Sequence, residues 1–161
     1  YGQGPRALSL QLKIAFAEAK GFIEMYFERF AGIRAYLDRQ VQVAREQGYV
    51  ETIFGRRRYV PELKDRNFNM RAFGERVAQN APIQGSAADL IKIAMLRIAA
   101  RLPDEGHGAR MLVHDELVFE VPEGSLDAVR AMVVHEMTHA AALSVPLVVE
   151  TGVGRDWYSA K

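Results

Sequence analysis

Residues 111–120, MLVHDELVFE, set His114, Asp115 and Glu116 between two apolar runs. A carboxylate buried without a partner is costly, so adjacent acids in such a segment must leave the core or be put to use. Beyond the acids, Leu117, Phe119 and Val121 fall on one side of an extended chain, and Glu116, Val118 and Glu120 on the other. The pattern predicts an antiparallel hairpin over 109–121 with His114-Asp115 at its tip, turning carboxylate oxygens into a cleft. Such oxygens are the hard ligands Mg²⁺ takes, commonly one or two protein carboxylates completed by substrate phosphates. Asp is equally at home in an ordinary polar turn, and the segment alone leaves both readings open.

A second constellation lies in ERVAQNAPIQGSAADLIK, where Arg76, Asn80 and Gln84 stand four residues apart. On a helix each such step advances about 40°, so the three form a slanted polar stripe. All three donate hydrogen bonds in fixed geometries. The minor groove offers acceptors, purine N3 and pyrimidine O2, at similar places in every base pair. A donor row there can sense duplex shape without reading sequence; a solvated helix face would look the same. Gly85 costs helix stability and permits close approach, which favours the binding reading.

A third pattern, HEMTH at 135–139, fits the zinc-protease motif H-E-x-x-H. The apolar stripe of its helix runs through Leu126, Val129, Val133 and Met137, which leaves the histidines facing solvent. Residue 145 is valine, so the extended motif lacks its third ligand, and a catalytic zinc needs three.

These residues need elements to hold them. Pro5 marks a helix start, and apolar spacing predicts helix over 6–30, weakened at Gly21. After Gly32 a further helix over 33–47 ends at Gly48. Residues 49–53 and 57–60 are β-prone and flank Phe54-Gly55, a small hairpin closed by Pro61. A polar linker, ELKDRNFNM, leads to a long helix over 71–101, kinked or broken at Pro82, with Val77, Leu90, Ile91, Ala94 and Ile98 toward the core. After the 109–121 hairpin come a helix over 124–143 and a last strand in LVVETGV. Helices first and an antiparallel hairpin later make the fold class α+β.

With 49% hydrophobic residues among 161, the chain can build a core, and global disorder is excluded. The lack of cysteine excludes a disulfide scaffold or thiolate metal site. No run of about 18 apolar residues suggests a membrane span. The chain starts at Tyr1 rather than Met, which points to a piece of something longer. Residues 55–76 carry seven basic side chains against three acidic ones, and residues 104–161 carry four against ten. A basic segment beside an acidic one suits an anionic polymer held near a cation site.

Three stretches in this order, GYVETIFGRRRYVPEL, ERVAQNAPIQGSAADLIK and VHDELVFEVP, followed by VPLVVETGVGRDWYSAK, resemble the C-terminal part of family A DNA polymerases of the bacterial polymerase I type. The resemblance spans essentially the whole chain and is nearest to thermophilic bacterial members. It implies that 1–70 form the later part of the fingers and 71–161 the C-terminal part of the palm. The activity implied is templated deoxynucleotidyl transfer to a primer 3′-hydroxyl, with Mg²⁺ as cofactor and primer-template DNA and a deoxynucleoside triphosphate as partners. Tyr1 then stands near the nascent base pair as a nucleotide-binding residue. Arg76, Asn80 and Gln84 contact primer and template, and His114 lies beside the primer terminus. Asp115 is the metal-binding aspartate, with Glu116 its supporting carboxylate. One departure is Leu112-Val113, where the family has Gln-Val. The family's second aspartate and its triphosphate-gripping arginine and lysine match nothing in these 161 residues, which are therefore expected not to polymerise alone. Weak, salt-sensitive duplex binding through 55–76, self-association through an unpaired strand edge, and a bacterial cytoplasmic, nucleoid-associated setting complete the expectations. The alternatives are a non-catalytic DNA-binding module and, more remotely, the zinc protease.

Overall fold

The computed structural model describes residues 3–102, 108–113 and 116–160. Pro5 opens α1 (Pro5–Leu12), at a position whose N–H would lack a helical partner anyway. The single helix expected over 6–30 is interrupted, though not at Gly21. The break falls at Lys13, which adopts φ 55° and ψ 40°. Ser9 is the cause. Its carbonyl accepts the N–H groups of Lys13 and Ile14, and its hydroxyl donates to the Ile14 carbonyl at 2.7 Å, so the turn closes on itself. Gly21 rides inside α2 (Phe16–Arg29). Phe30, rather than Gly32, is the joint to α3 (Ala31–Gln47). That helix ends, as expected, on Gly48 at φ 85°, a conformation glycine adopts without steric cost.

Strands β1 (Tyr49–Glu51) and β2 (Arg57–Tyr59) pair antiparallel, with Val50 opposite Arg58 and Glu51 opposite Arg57. β1 is shorter than expected because the turn consumes residues 52–56, and β2 stops one residue short, before Val60. The Thr52 N–H donates to the Arg56 carbonyl, while the Thr52 hydroxyl oxygen accepts the N–H groups of Phe54 and Arg56. The polar linker holds a 3₁₀ turn, Pro61–Lys64, that buries Leu63. Helix α4 (Phe68–Ala99) starts three residues earlier than expected. The side chain of Asn67 accepts the Asn69 N–H at 2.8 Å, the act of an N-cap. The helix also runs through Pro82 without a break. Proline's φ suits a helix, and what is lost is one bond to the Ala78 carbonyl. Burial of Ala78 before it, and of Ala94 and Ile98 after it, offsets that loss.

Packing divides the chain into two units that meet within α4, one up to Ser86 and one from Ala87. In the first, Val41 and Ala44 of α3, Val50, Val60, Leu63 and Ala78 form the core. In the second, Ala94 and Ile98 pack with Val129, Val133 and Ala140. Strands β3 (Gly108–Val113) and β4 (Glu116–Glu120) pair antiparallel from Val113 opposite Glu116 outward, with a bulge between Ala109 and Met111. Leu117, Phe119 and Val121 pack against the second core, the face their alternation predicts.

Helix α5 (Leu126–Thr138) is shorter than the 124–143 expected. The Thr138 hydroxyl bonds back to the Val134 carbonyl at 2.8 Å, and residues 139–142 leave the helix. The last strand expected in LVVETGV is absent: residues 145–154 carry no strand, and the described strands pair only as β1–β2 and β3–β4. β-prone residues become a strand only when they pair with an edge, and residues 145–154 pair with neither hairpin. Helices followed by a hairpin nevertheless make the architecture α+β. Among the described residues no helix is long and apolar enough to cross a membrane.

Candidate nucleic-acid interface

All three residues of the slanted stripe lie on α4 in the first unit. Arg76 and Gln84 are exposed and Asn80 is half-buried. Arg76 sits over the Phe73 ring, 6.0 Å from its centroid. None of the three side chains makes a hydrogen bond or ion pair among the described residues, so their donors are available to an outside acceptor. The stripe holds its line because Ala78, at 0% exposure, faces the first core with Val77 and Ala81 beside it.

Just beyond Gln84, α4 meets the β1–β2 hairpin. The Arg56 guanidinium donates to the Gly85 carbonyl at 3.0 Å, and the Ile53 N–H donates to the Ser86 hydroxyl, also at 3.0 Å. A Cβ on Gly85 would stand 2.6 Å from the Thr52 methyl carbon. The close approach expected at Gly85 is thus made by the protein's own hairpin. Gly85→Ala is expected to push the hairpin off the helix, losing about 1–3 kcal/mol to overpacking against a gain of up to about 1 kcal/mol in helix propensity. Thr52→Ser removes the offending methyl and keeps the hydroxyl that closes the turn. It should therefore restore stability in the double variant, as read by thermal unfolding; equal losses with and without it would dismiss the clash.

Around the acids, β4 begins at Glu116, which is exposed and whose carboxylate makes no hydrogen bond or ion pair among the described residues. Strand pairing brackets the position expected for the tip, but His114 and Asp115 themselves lie outside the described residues, as does Tyr1. Among the described residues, no group of three or more His, Cys, Asp or Glu side chains could hold a metal. Glu116 and its sequence neighbour Asp115 are carboxylates, the kind of oxygen donor that hard cations such as Mg²⁺ take.

In the HEMTH segment, His135 and His139 are exposed, as expected, with rings stacked at 4.3 Å between centroids. Glu136, the motif's general base, is turned inward and paired with Arg101. The hydrogen bond from that guanidinium holds its carboxyl below the usual carboxylate range. A carboxylate so engaged ties α5 to the residues just after α4.

The sequence reading missed two contributors. Arg56 and Ser86 fasten the hairpin to α4 beside Gln84. Only the run of three arginines hinted at the first, and nothing in the one-dimensional pattern hinted at the second.

Comparison with known proteins agrees with this architecture. The model of "DNA polymerase family A" matches residues 1–159. DNA polymerase I of Bacillus subtilis (strain 168) is 50% identical over 100% of this chain and 18% of its own length. The thermostable DNA polymerase I of Thermus filiformis is likewise 50% identical, over 100% of this chain and 19% of its own. Thermostable and other relatives are therefore equally similar, and the leaning toward thermophilic members is not upheld. Among solved structures, the POL domain of Pol1 from M. smegmatis, in complex with DNA primer-template and dNTP, matches with a TM-score of 0.91 at 48% identity. That match covers 99% of this chain and 29% of that one. The chain belongs to DNA polymerase family A. It spans about a fifth of the length of the curated relatives it matches.

Proposed function

We propose that this chain is the terminal fingers-and-palm portion of a DNA-directed DNA polymerase, with 1–70 in the fingers and 71–161 in the palm. The observation that carries the reading is the row of Arg76, Asn80 and Gln84, three donors without partners among the described residues, on a helix braced by its own hairpin. In this reading they hold the primer-template duplex through acceptors common to all base pairs. His114 steadies the primer terminus, and Tyr1 stacks near the incoming deoxynucleoside triphosphate. Asp115 would hold Mg²⁺ with Glu116 in support. When bound, the ion supplies charge neutralisation at the α-phosphate attacked by the 3′-hydroxyl. The 161 residues by themselves match only part of that machinery and are proposed to be inactive alone. Their exposed apolar side chains on α1 and α2, among them Leu10, Phe16 and Met25, favour self-association when the chain is isolated. A bacterial cytoplasmic, nucleoid-associated setting and a role in replication and repair go with the same reading.

The test is duplex affinity in a whole family A polymerase carrying this segment. Asn80→Ala and Gln84→Ala should each weaken primer-template binding about fivefold, the worth of one hydrogen bond of about 1 kcal/mol. Unchanged affinity in both would remove the reading.

A further inference from the structure

Three consecutive arginines, Arg56, Arg57 and Arg58, close the β1–β2 hairpin, and the structure gives each a different position. Arg57 lies opposite Glu51 and is bound to it at 3.0 Å, with its guanidinium 4.6 Å from the centre of the Tyr49 ring. Its charge is taken up on that face of the ribbon. Arg56 is tied to the Gly85 carbonyl. Arg58 lies opposite Val50, and directly paired residues share a face of the ribbon. Val50 is 1% exposed and sits in the first core, so Arg58 rises from the face turned toward α4. It is exposed, and among the described residues its side chain makes no hydrogen bond or ion pair. A long arginine stem can cover apolar surface while its head reaches water.

Arg58 also lines one groove with Thr52, Arg56, Gln84 and Gly85, formed by the hairpin and α4. Among the described residues Glu51 is the only acid in the lining, and it is paired with Arg57. The groove therefore carries an unspent positive charge beside a donor amide. Phosphodiester oxygens are acceptors with full negative charge, and a guanidinium binds them in forked geometry.

We infer that Arg58 and Gln84 form one subsite, in which Arg58 binds a backbone phosphate of the same duplex whose base edges meet Gln84. The inference rests on the reading proposed above and extends it. Arg58 sets where the strand enters the groove, and the Arg56–Gly85 bond keeps hairpin and helix at fixed spacing while it does so. Phosphate contacts position and base-edge contacts sense the pair, so the two residues divide the work.

The experiment measures binding of a labelled primer-template duplex to a whole family A polymerase carrying this segment, across a range of salt concentrations. Each neutralised phosphate contributes about 0.9 to the slope of log affinity against log salt. Arg58→Gln should lower that slope by about one and weaken binding alike on every duplex sequence. Arg58→Lys should restore most of the slope, because the point charge returns. Arg57→Gln should change the slope by less than half as much. An Arg58→Gln slope equal to that of the unsubstituted enzyme, or an equal fall in Arg57→Gln, overturns the subsite. If the unsubstituted polymerase binds with a salt slope and Gln84→Ala weakens it while Arg58→Gln does not, only this inference fails. If the unsubstituted enzyme ignores duplex, the proposed function fails with it.

Discussion

Asp115→Asn, in a whole family A polymerase carrying this segment, is expected to lower kcat for primer extension by about three powers of ten or more while leaving duplex affinity within about twofold. The reasoning is chemical. Charge stabilisation by a bound divalent ion is worth several kcal/mol in a phosphoryl-transfer transition state, and each 1.36 kcal/mol is tenfold in rate. An amide keeps the shape of the carboxylate but offers one neutral oxygen, a far poorer ligand for a hard cation. In the reading proposed above the duplex is held by the α4 stripe and the groove beside Gln84, and Asp115 belongs to neither. Rate and affinity should therefore separate. Glu116→Gln should cost less, because Glu116 is assigned the supporting place. Retention of a tenth of the rate by Asp115→Asn would remove Asp115 from the metal, and a loss confined to KM would make it a DNA contact instead.

What the sequence could and could not tell follows from which forces are local. The alternation through Leu117, Phe119 and Val121 names a buried face because a strand has a fixed period of two, and those residues do pack on the second core. Gly48 was read as a helix end and Gly55 as part of a hairpin turn, and both have the positive φ that glycine adopts without steric cost. The Arg76–Asn80–Gln84 stripe needed only a helix to be drawn correctly, and α4 provides it. The misreadings have a common source. The break at Lys13 comes from Ser9 choosing among several backbone partners, which no periodicity records. The earlier start of α4 comes from one Asn67 side chain. LVVETGV looked like a strand because strand propensity was read alone, and propensity does not say whether a segment will pair with an edge. The brace at Gly85 joins residues about thirty positions apart. A helical glycine signalled close approach, but only the fold could say that Thr52 was the neighbour.

The two cores suggest a second large effect, and it should be confined to one unit. Ile98 is 1% exposed and among the largest fully buried side chains. It packs with Ala94, Val129 and Val133, with Leu117 and Phe119 against the same cluster. Cutting it to alanine removes three carbons from a site bounded by two helices and a hairpin, none of which can collapse inward without dragging the others. Ile→Ala changes in such places cost about 2–5 kcal/mol, whereas Ile→Val costs about 0.5–1.5. The first core, built on Val41, Ala44, Val50, Val60, Leu63 and Ala78, shares none of these residues. Amide hydrogen exchange in the whole polymerase should then show protection falling about a hundredfold in α5 and the Leu90–Ile98 part of α4 for Ile98→Ala, and less than tenfold for Ile98→Val. Amides of α3 and β1 should exchange at their original rates. Equal losses in both units would mean that α4 transmits the defect along its length and that the two cores unfold as one. Equal losses from the alanine and valine variants would mean that the cavity is not the cause.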